Sequence, residues 1–97
     1  MELSAAQRER YERNLLVEGF TDRMQQALIA ARVAVVGAGG LGSAALNYLV
    51  AAGVGHLTLI ENDTVSLSNL QRQVLYTTAD MGRPKAEVAA MRLSRLN

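Results

Sequence analysis

Gly37, Gly39 and Gly42 lie in the stretch GAGGLGS, directly after the apolar run RVAVV. Glycines spaced G-x-G-x-x-G at the end of a strand allow a tight turn, close approach of backbone to a phosphate, and close packing of the next helix. That helix points its first N–H groups at the anion. Glu61 stands about 20 residues further on, at the end of a second apolar run, where an acid can hold ribose hydroxyls. Asp63, Asn69, Arg72 and Gln73 follow within NDTVSLSNLQRQ, and Lys85 comes after them. Backbone amides and a helix dipole commonly satisfy a dinucleotide's pyrophosphate. A triphosphate about to be cut needs cations as well, because charge must be neutralised and a leaving group stabilised. Taken singly, Arg72 and Lys85 read as solvated surface cations. As a pair beside a glycine turn and a ribose acid, they read as phosphate ligands.

These residues need a strand, a turn, a helix and a second strand to hold them. RVAVVG reads as a short buried strand without alternation, as in a parallel sheet. SAALNYLVAAG reads as a helix with Gly53 as its stop, and HLTLIEND as the second strand. Together they make one βαβ unit within about 30 residues. Upstream, Ser4 with Gln7 forms a capping box for a helix ending near Gly19, and Asp22 is the expected N-cap of RMQQALIAA. Downstream, a helical turn is expected to begin at Ser68, YTTADMG is a loop, and Pro84 opens a last helix. Val88, Met91 and Leu96 supply that helix's apolar face.

Composition narrows the function classes. The chain has 97 residues, a formal net charge of +1 and no cysteine. One domain fits that length. The charge balance argues against a basic nucleic-acid module, and the lone His56 against a histidine metal site. Without cysteine there is no disulfide framework, thiolate zinc site or thiol nucleophile in these residues, and no metal ligand is assigned. No apolar stretch approaches the ~20 residues of a membrane span, and the charged start MELSAAQRERYERN lacks a signal peptide's apolar core. A cytoplasmic protein is the expectation.

The longer stretches RYERN, VAVVGAGGLGS, AAGVGHLTLIENDTVSLSNLQRQVLYTTADMGRPKAE and RLSRLN resemble the N-terminal part of the ThiF/MoeB/HesA family, relatives of the ubiquitin-activating enzymes. SNLQRQ paired with GRPKAE is far more specific than the glycine turn. The resemblance implies ATP-dependent adenylation of the C-terminal carboxylate of a ubiquitin-like sulfur carrier protein, in thiamine or molybdopterin biosynthesis. It implies that Gly37, Gly39, Gly40 and Gly42 line the nucleotide, and that Glu61 holds the ribose. Asp63 and the run Ser68, Asn69, Leu70, Gln71 and Arg72 lie against the nucleotide in the same reading, with Lys85 beside the phosphates. Arg13 matches an arginine that reaches the γ-phosphate from the partner subunit of a homodimer. The catalytic set is then Arg13, Arg72 and Lys85. Glu61 stands where the family usually has Asp, and Asn14 where it often has Gln. The family's Mg2+-binding aspartate and zinc-binding cysteines are expected after residue 97.

The expected fold is α/β: a helical arm over residues 1–32, then a Rossmann-like ATP-binding βαβ unit over 33–97 that stops before the rest of its parallel sheet. A third strand should follow Asn97, so an N-terminal part of a longer protein is expected, inactive when made alone. Three other readings stand beside adenylation of a sulfur carrier. A tRNA-modifying dehydratase of the same family would use ATP on RNA, but the sequence lacks a basic patch. A non-catalytic partner-binding module would usually lose the cations kept here. A nicotinamide-dependent oxidoreductase explains the glycine turn and Glu61 but not SNLQRQ.

Overall fold

The computed structural model describes residues 2–97. Its elements in order are α1 (Ala5–Arg10), α2 (Glu12–Leu15), α3 (Asp22–Ala30), β1 (Arg32–Val36), α4 (Gly40–Ala52), β2 (His56–Ile60) and α5 (Lys85–Leu96). β1 and β2 pair in parallel, in register from Arg32 with His56 to Val36 with Ile60. Helix α4 is the crossover between them, so the expected βαβ unit is present. Leu46 and Val50 of α4 and Val88, Ala89 and Leu93 of α5 form the core with Val65, Leu75 and Tyr76, which lie between β2 and α5.

Gly42 decides how closely α4 can lie on the turn after β1. A Cβ at this position would stand 2.1 Å from the Gly37 carbonyl oxygen. Gly37 has φ +91, a conformation that favours glycine. The far end of α4 stops at Gly53, which is in the left-handed region.

Several local expectations are corrected. The N-terminal helix is broken at Tyr11 into α1 and α2, although the Ser4–Gln7 capping box forms. Thr21, not Asp22, caps α3, because its hydroxyl accepts the Met24 N–H; Asp22 is the first helical residue and holds Arg8. Helix α4 starts at Gly40, ahead of the expected Ser43, since the glycine turn itself winds into the first turn. β2 ends at Ile60, where Glu61 turns back to the glycine loop. The turn expected from Ser68 is a 3-10 turn over Leu67–Asn69, and a second one, Thr78–Asp80, interrupts the expected loop. Pro84 is the N-cap of α5 rather than its first residue. The buried face of α5 is Val88, Ala89 and Leu93, one cluster with Leu46 and Val50 of α4, while Met91 is half-buried and Leu96 is 41% exposed. The strands alternate exposed and half-buried residues instead of being covered throughout, with Val36 80% exposed.

Asp80 anchors the segment between β2 and α5. It is 2% exposed. Its carboxylate accepts from the Thr77 N–H at 2.7 Å and from Arg92 at 2.9 Å, and Arg83 lies at 3.6 Å. Burial alone would raise its pKa, but the Thr77 hydrogen bonds and the Arg92 and Arg83 charges hold it below the ordinary value. Its stabilising contribution is therefore complete above the unfolded carboxylate value, about pH 4, and is lost as pH falls through the lower folded value. Asp80→Asn should flatten the acid limb of stability measured by denaturant unfolding, and should cost on the order of 3 kcal/mol at pH 7. An acid limb identical to the parent's would show that Asp80 is not the linked group. Gly42→Ala should destabilise by a few kcal/mol, while Gly40→Ala, whose Cβ would meet Arg72 Cδ at an ordinary 3.9 Å, should leave the same unfolding midpoint nearly unchanged.

Candidate nucleotide site

The first hydrogen bond of α4 runs from the Ser43 N–H to the Gly39 carbonyl at 2.8 Å, and no side chain caps the helix. The amides of Gly40, Leu41 and Gly42 thus precede the helical ladder and present donors at the positive end of the helix dipole. Such an end is suited to phosphate. Gly39 and Gly40 keep the approach open, with Gln73 and Arg72 as the nearest side chains to their Cβ positions, at 3.5 and 3.9 Å.

Glu61 closes one side of the turn. Its Oε2 accepts the Ala38 N–H at 2.9 Å, and its Oε1 accepts the Asp63 N–H at 3.3 Å. The longer side chain therefore folds back onto the loop, and each carboxylate oxygen keeps a lone pair for a further donor. Asp63 continues the chain of contacts. Its carboxylate lies 3.6 Å from Lys85 Nζ and accepts the Thr64 N–H at 2.8 Å.

The two cations differ in setting. Arg72 is exposed, and its guanidinium donates to the Ser68 carbonyl at 3.2 Å and to Asn69 Oδ1 at 3.3 Å. Those bonds hold the side chain along the 3-10 turn, and its Cδ stands 3.9 Å from the Cβ position of Gly40. Lys85 is 3% exposed, so it is not the solvated surface cation that its sequence setting alone suggests. The Asp63 carboxylate is its charged partner, and an ammonium has three donors. Ser68 and Gln71 are exposed and Leu70 is half-buried against the core.

Arg13 is not brought to this site. It is exposed on α2, whose neighbour Asn14 donates to the Ala52 carbonyl at 3.4 Å, at the opposite end of α4. The length of α4, about 18 Å at its usual rise, separates that end from the glycine turn. The C-terminal end is plugged: Gln25 donates to the Ala52 carbonyl at 2.8 Å and Asn97 to the Val50 carbonyl at 2.9 Å.

Two site neighbours carry no role in the sequence reading. Gln73 is 4% exposed, lies against Gly39, and its Oε1 has no hydrogen-bond partner. Tyr76 is 4% exposed and its hydroxyl donates to the Ala38 carbonyl at 2.7 Å. Burial, and then the Glu61 charge, push the phenol up to about 12, so it remains a donor at neutral pH. Gln73 was legible as part of SNLQRQ; Tyr76 gave no signal, because a buried tyrosine pattern reads as core.

The open helix end, the glycines and the orphaned Gln73 acceptor suit a phosphate-bearing ligand with further polar groups. Among the described residues, no three His, Cys, Asp or Glu side chains gather as a metal cluster. Among them also, no helix is long and apolar enough to cross a membrane.

Known proteins are similar to this chain in sequence and in fold. The chain is 54% identical over 96 residues to the molybdopterin-synthase adenylyltransferase of Salmonella typhimurium, covering 99% of the chain and 39% of that protein. It is 49% identical over 88 residues to the sulfur carrier protein ThiS adenylyltransferase of Escherichia coli, covering 91% of the chain and 35% of that protein. The solved E. coli tRNA N6-threonylcarbamoyladenosine dehydratase in complex with ATP superposes with a TM-score of 0.89 at 35% identity, covering 100% of the chain and 39% of that structure. The chain thus spans well under half the length of each. Residues 11–97 match the ThiF family, and the chain belongs to that family.

Proposed function

We propose that the protein carrying this chain is an ATP-dependent adenylyltransferase that activates the C-terminal carboxylate of a ubiquitin-like sulfur carrier protein. The observation that carries the reading is the set of cations around the glycine turn: Arg72 beside Gly40, and a buried Lys85 linked through Asp63 to Glu61. Relatives named as adenylyltransferases of molybdopterin synthase and of ThiS, and a structural relative that holds ATP, support it.

In this reading the amides of Gly40, Leu41 and Gly42 hold the phosphates, and Glu61 takes a ribose hydroxyl on its free lone pairs. A carboxylate oxygen of the carrier attacks the α-phosphorus. The bond to the β-phosphate bridging oxygen breaks, and pyrophosphate leaves with the electron pair, giving an acyl-adenylate. Arg72 and Lys85 stabilise charge building on the leaving group. Mg2+, when bound, would supply further neutralisation of the phosphates. Arg13 lies too far along α4 to serve its own turn, which favours action on a second copy across a homodimer.

A tRNA-modifying dehydratase is the second reading, favoured by the dehydratase's fit to the whole chain. It shares the adenylation step and differs in the carboxylate activated. The sulfur carrier is preferred because relatives so named are more similar in sequence.

Titration calorimetry of the full-length protein should find ATP binding with Mg2+ present and none with NAD; NAD binding without ATP binding would contradict the reading. Arg72→Ala and Lys85→Ala should each slow carrier-dependent pyrophosphate exchange by roughly a hundredfold. Exchange at the parent rate in both would leave Arg72 a surface cation and Lys85 only a structural partner of Asp63, and would contradict the reading. Arg13→Ala homodimers should be inactive, yet mixing them with Arg72→Ala subunits should restore part of the exchange, since a mixed dimer keeps one intact composite site. No recovery on mixing would place the Arg13 function within its own subunit or remove it altogether.

A further inference from the structure

Tyr76 touches the glycine turn at the peptide where backbone orientation matters. Its side chain comes from the segment between β2 and α5 and is part of the core with Leu46, Val65 and Leu75. Its hydroxyl leaves that apolar setting to donate to the Ala38 carbonyl at 2.7 Å. The opposite flank of Ala38 is fixed too, since its N–H donates to Glu61 at 2.9 Å. Ala38 is itself fully buried, so an inward carbonyl without the phenol would be left without a partner.

The Ala38 carbonyl and the Gly39 N–H belong to one planar trans peptide, and they point in opposite directions. A carbonyl drawn inward to a buried phenol therefore turns the Gly39 N–H outward. The Gly40, Leu41 and Gly42 amides, next along the chain, stand ahead of the helical ladder. A glycine on the far side of this peptide leaves it free to rotate, as few other residues would. Without a clamp, the flipped peptide would offer a carbonyl oxygen to an incoming phosphate, and like partial charges would meet.

We propose that Tyr76 is a positioning residue for the nucleotide turn, holding the Ala38 carbonyl inward so that the Gly39 N–H joins the α4 amides as an anion donor. The proposal rests on the adenylation reading for the identity of the anion, an ATP phosphate. Tyr76 touches no substrate in it and acts through the peptide.

Tyr76→Phe removes the donor and keeps the ring. In the full-length protein, the Kd and KM for ATP should rise about tenfold, the worth of one hydrogen bond to an anion. The kcat at saturating ATP and the KM for the carrier should stay close to the parent's. Leu75→Ala serves as a destabilised control: its melting temperature should fall while its ATP Kd holds. In the isotope-labelled parent, ATP should shift the Gly39 amide proton resonance downfield. Parent-like ATP binding by Tyr76→Phe, or a Gly39 amide that ATP leaves unmoved, would overturn the proposal while leaving adenylation intact. Absence of ATP binding in the parent would overturn both.

Discussion

Helix α4 can start where it does only because Gly42 has no side chain. Any Cβ there would run into the Gly37 carbonyl, and the helix would have to lift away from β1. The lifted helix would carry its first amides away from the turn, and the anion site would be lost with the packing. Gln73 and Arg72 stand against Gly39 and Gly40, the glycines between Gly37 and Gly42. Fold and site thus depend on one steric allowance. The surrounding groups, Glu61 on one flank of Ala38 and Tyr76 on the other, fix a turn that glycine alone would leave loose.

The two ends of α4 are treated oppositely. At its C-terminus the carbonyls of Val50 and Ala52 are taken by Asn97, Gln25 and Asn14, and Gly53 turns the chain away. At its N-terminus no side chain caps the amides. A helix whose carbonyl end is closed and whose amide end is open is a directed donor of positive potential. The N-terminal arm closes the Ala52 carbonyl and Asn97 the Val50 carbonyl, so α2 and Arg13 lie at the far end of α4 from the turn. In the proposed enzyme that distance becomes useful, because an arginine displaced from its own site is available to a second copy.

The βαβ unit, the glycine turn and the acid at the end of β2 were legible because each has a positional signature: spacing of glycines, β-branched runs, a carboxylate at a fixed distance. The ThiF resemblance was legible through SNLQRQ and GRPKAE. Boundaries were not. Thr21 and Asp22 are both good caps, and only the Met24 N–H to the Thr21 hydroxyl decides between them. Of the expected α5 face Val88 is buried and Met91 half-buried, but Ala89 and Leu93 complete the face in place of Leu96, and composition gives a small residue such as Ala89 little weight. Lys85 reads as a phosphate ligand only together with Arg72; its burial and its pairing with Asp63 are tertiary facts that no spacing encodes. Tyr76 was invisible for a related reason: its role is one hydroxyl bond to a backbone carbonyl, and no spacing encodes that.

The central claim is that this turn holds a triphosphate for attack at its α-phosphorus by a carboxylate. The most direct test follows a heavy-oxygen label placed in the C-terminal carboxylate of the sulfur carrier. After adenylation by the full-length protein and opening of the acyl-adenylate with a thiol, the account predicts one labelled oxygen in the phosphate of AMP, with pyrophosphate unlabelled. Label recovered in inorganic phosphate, with ADP as the nucleotide product, would mean attack at the γ-phosphorus and would contradict it.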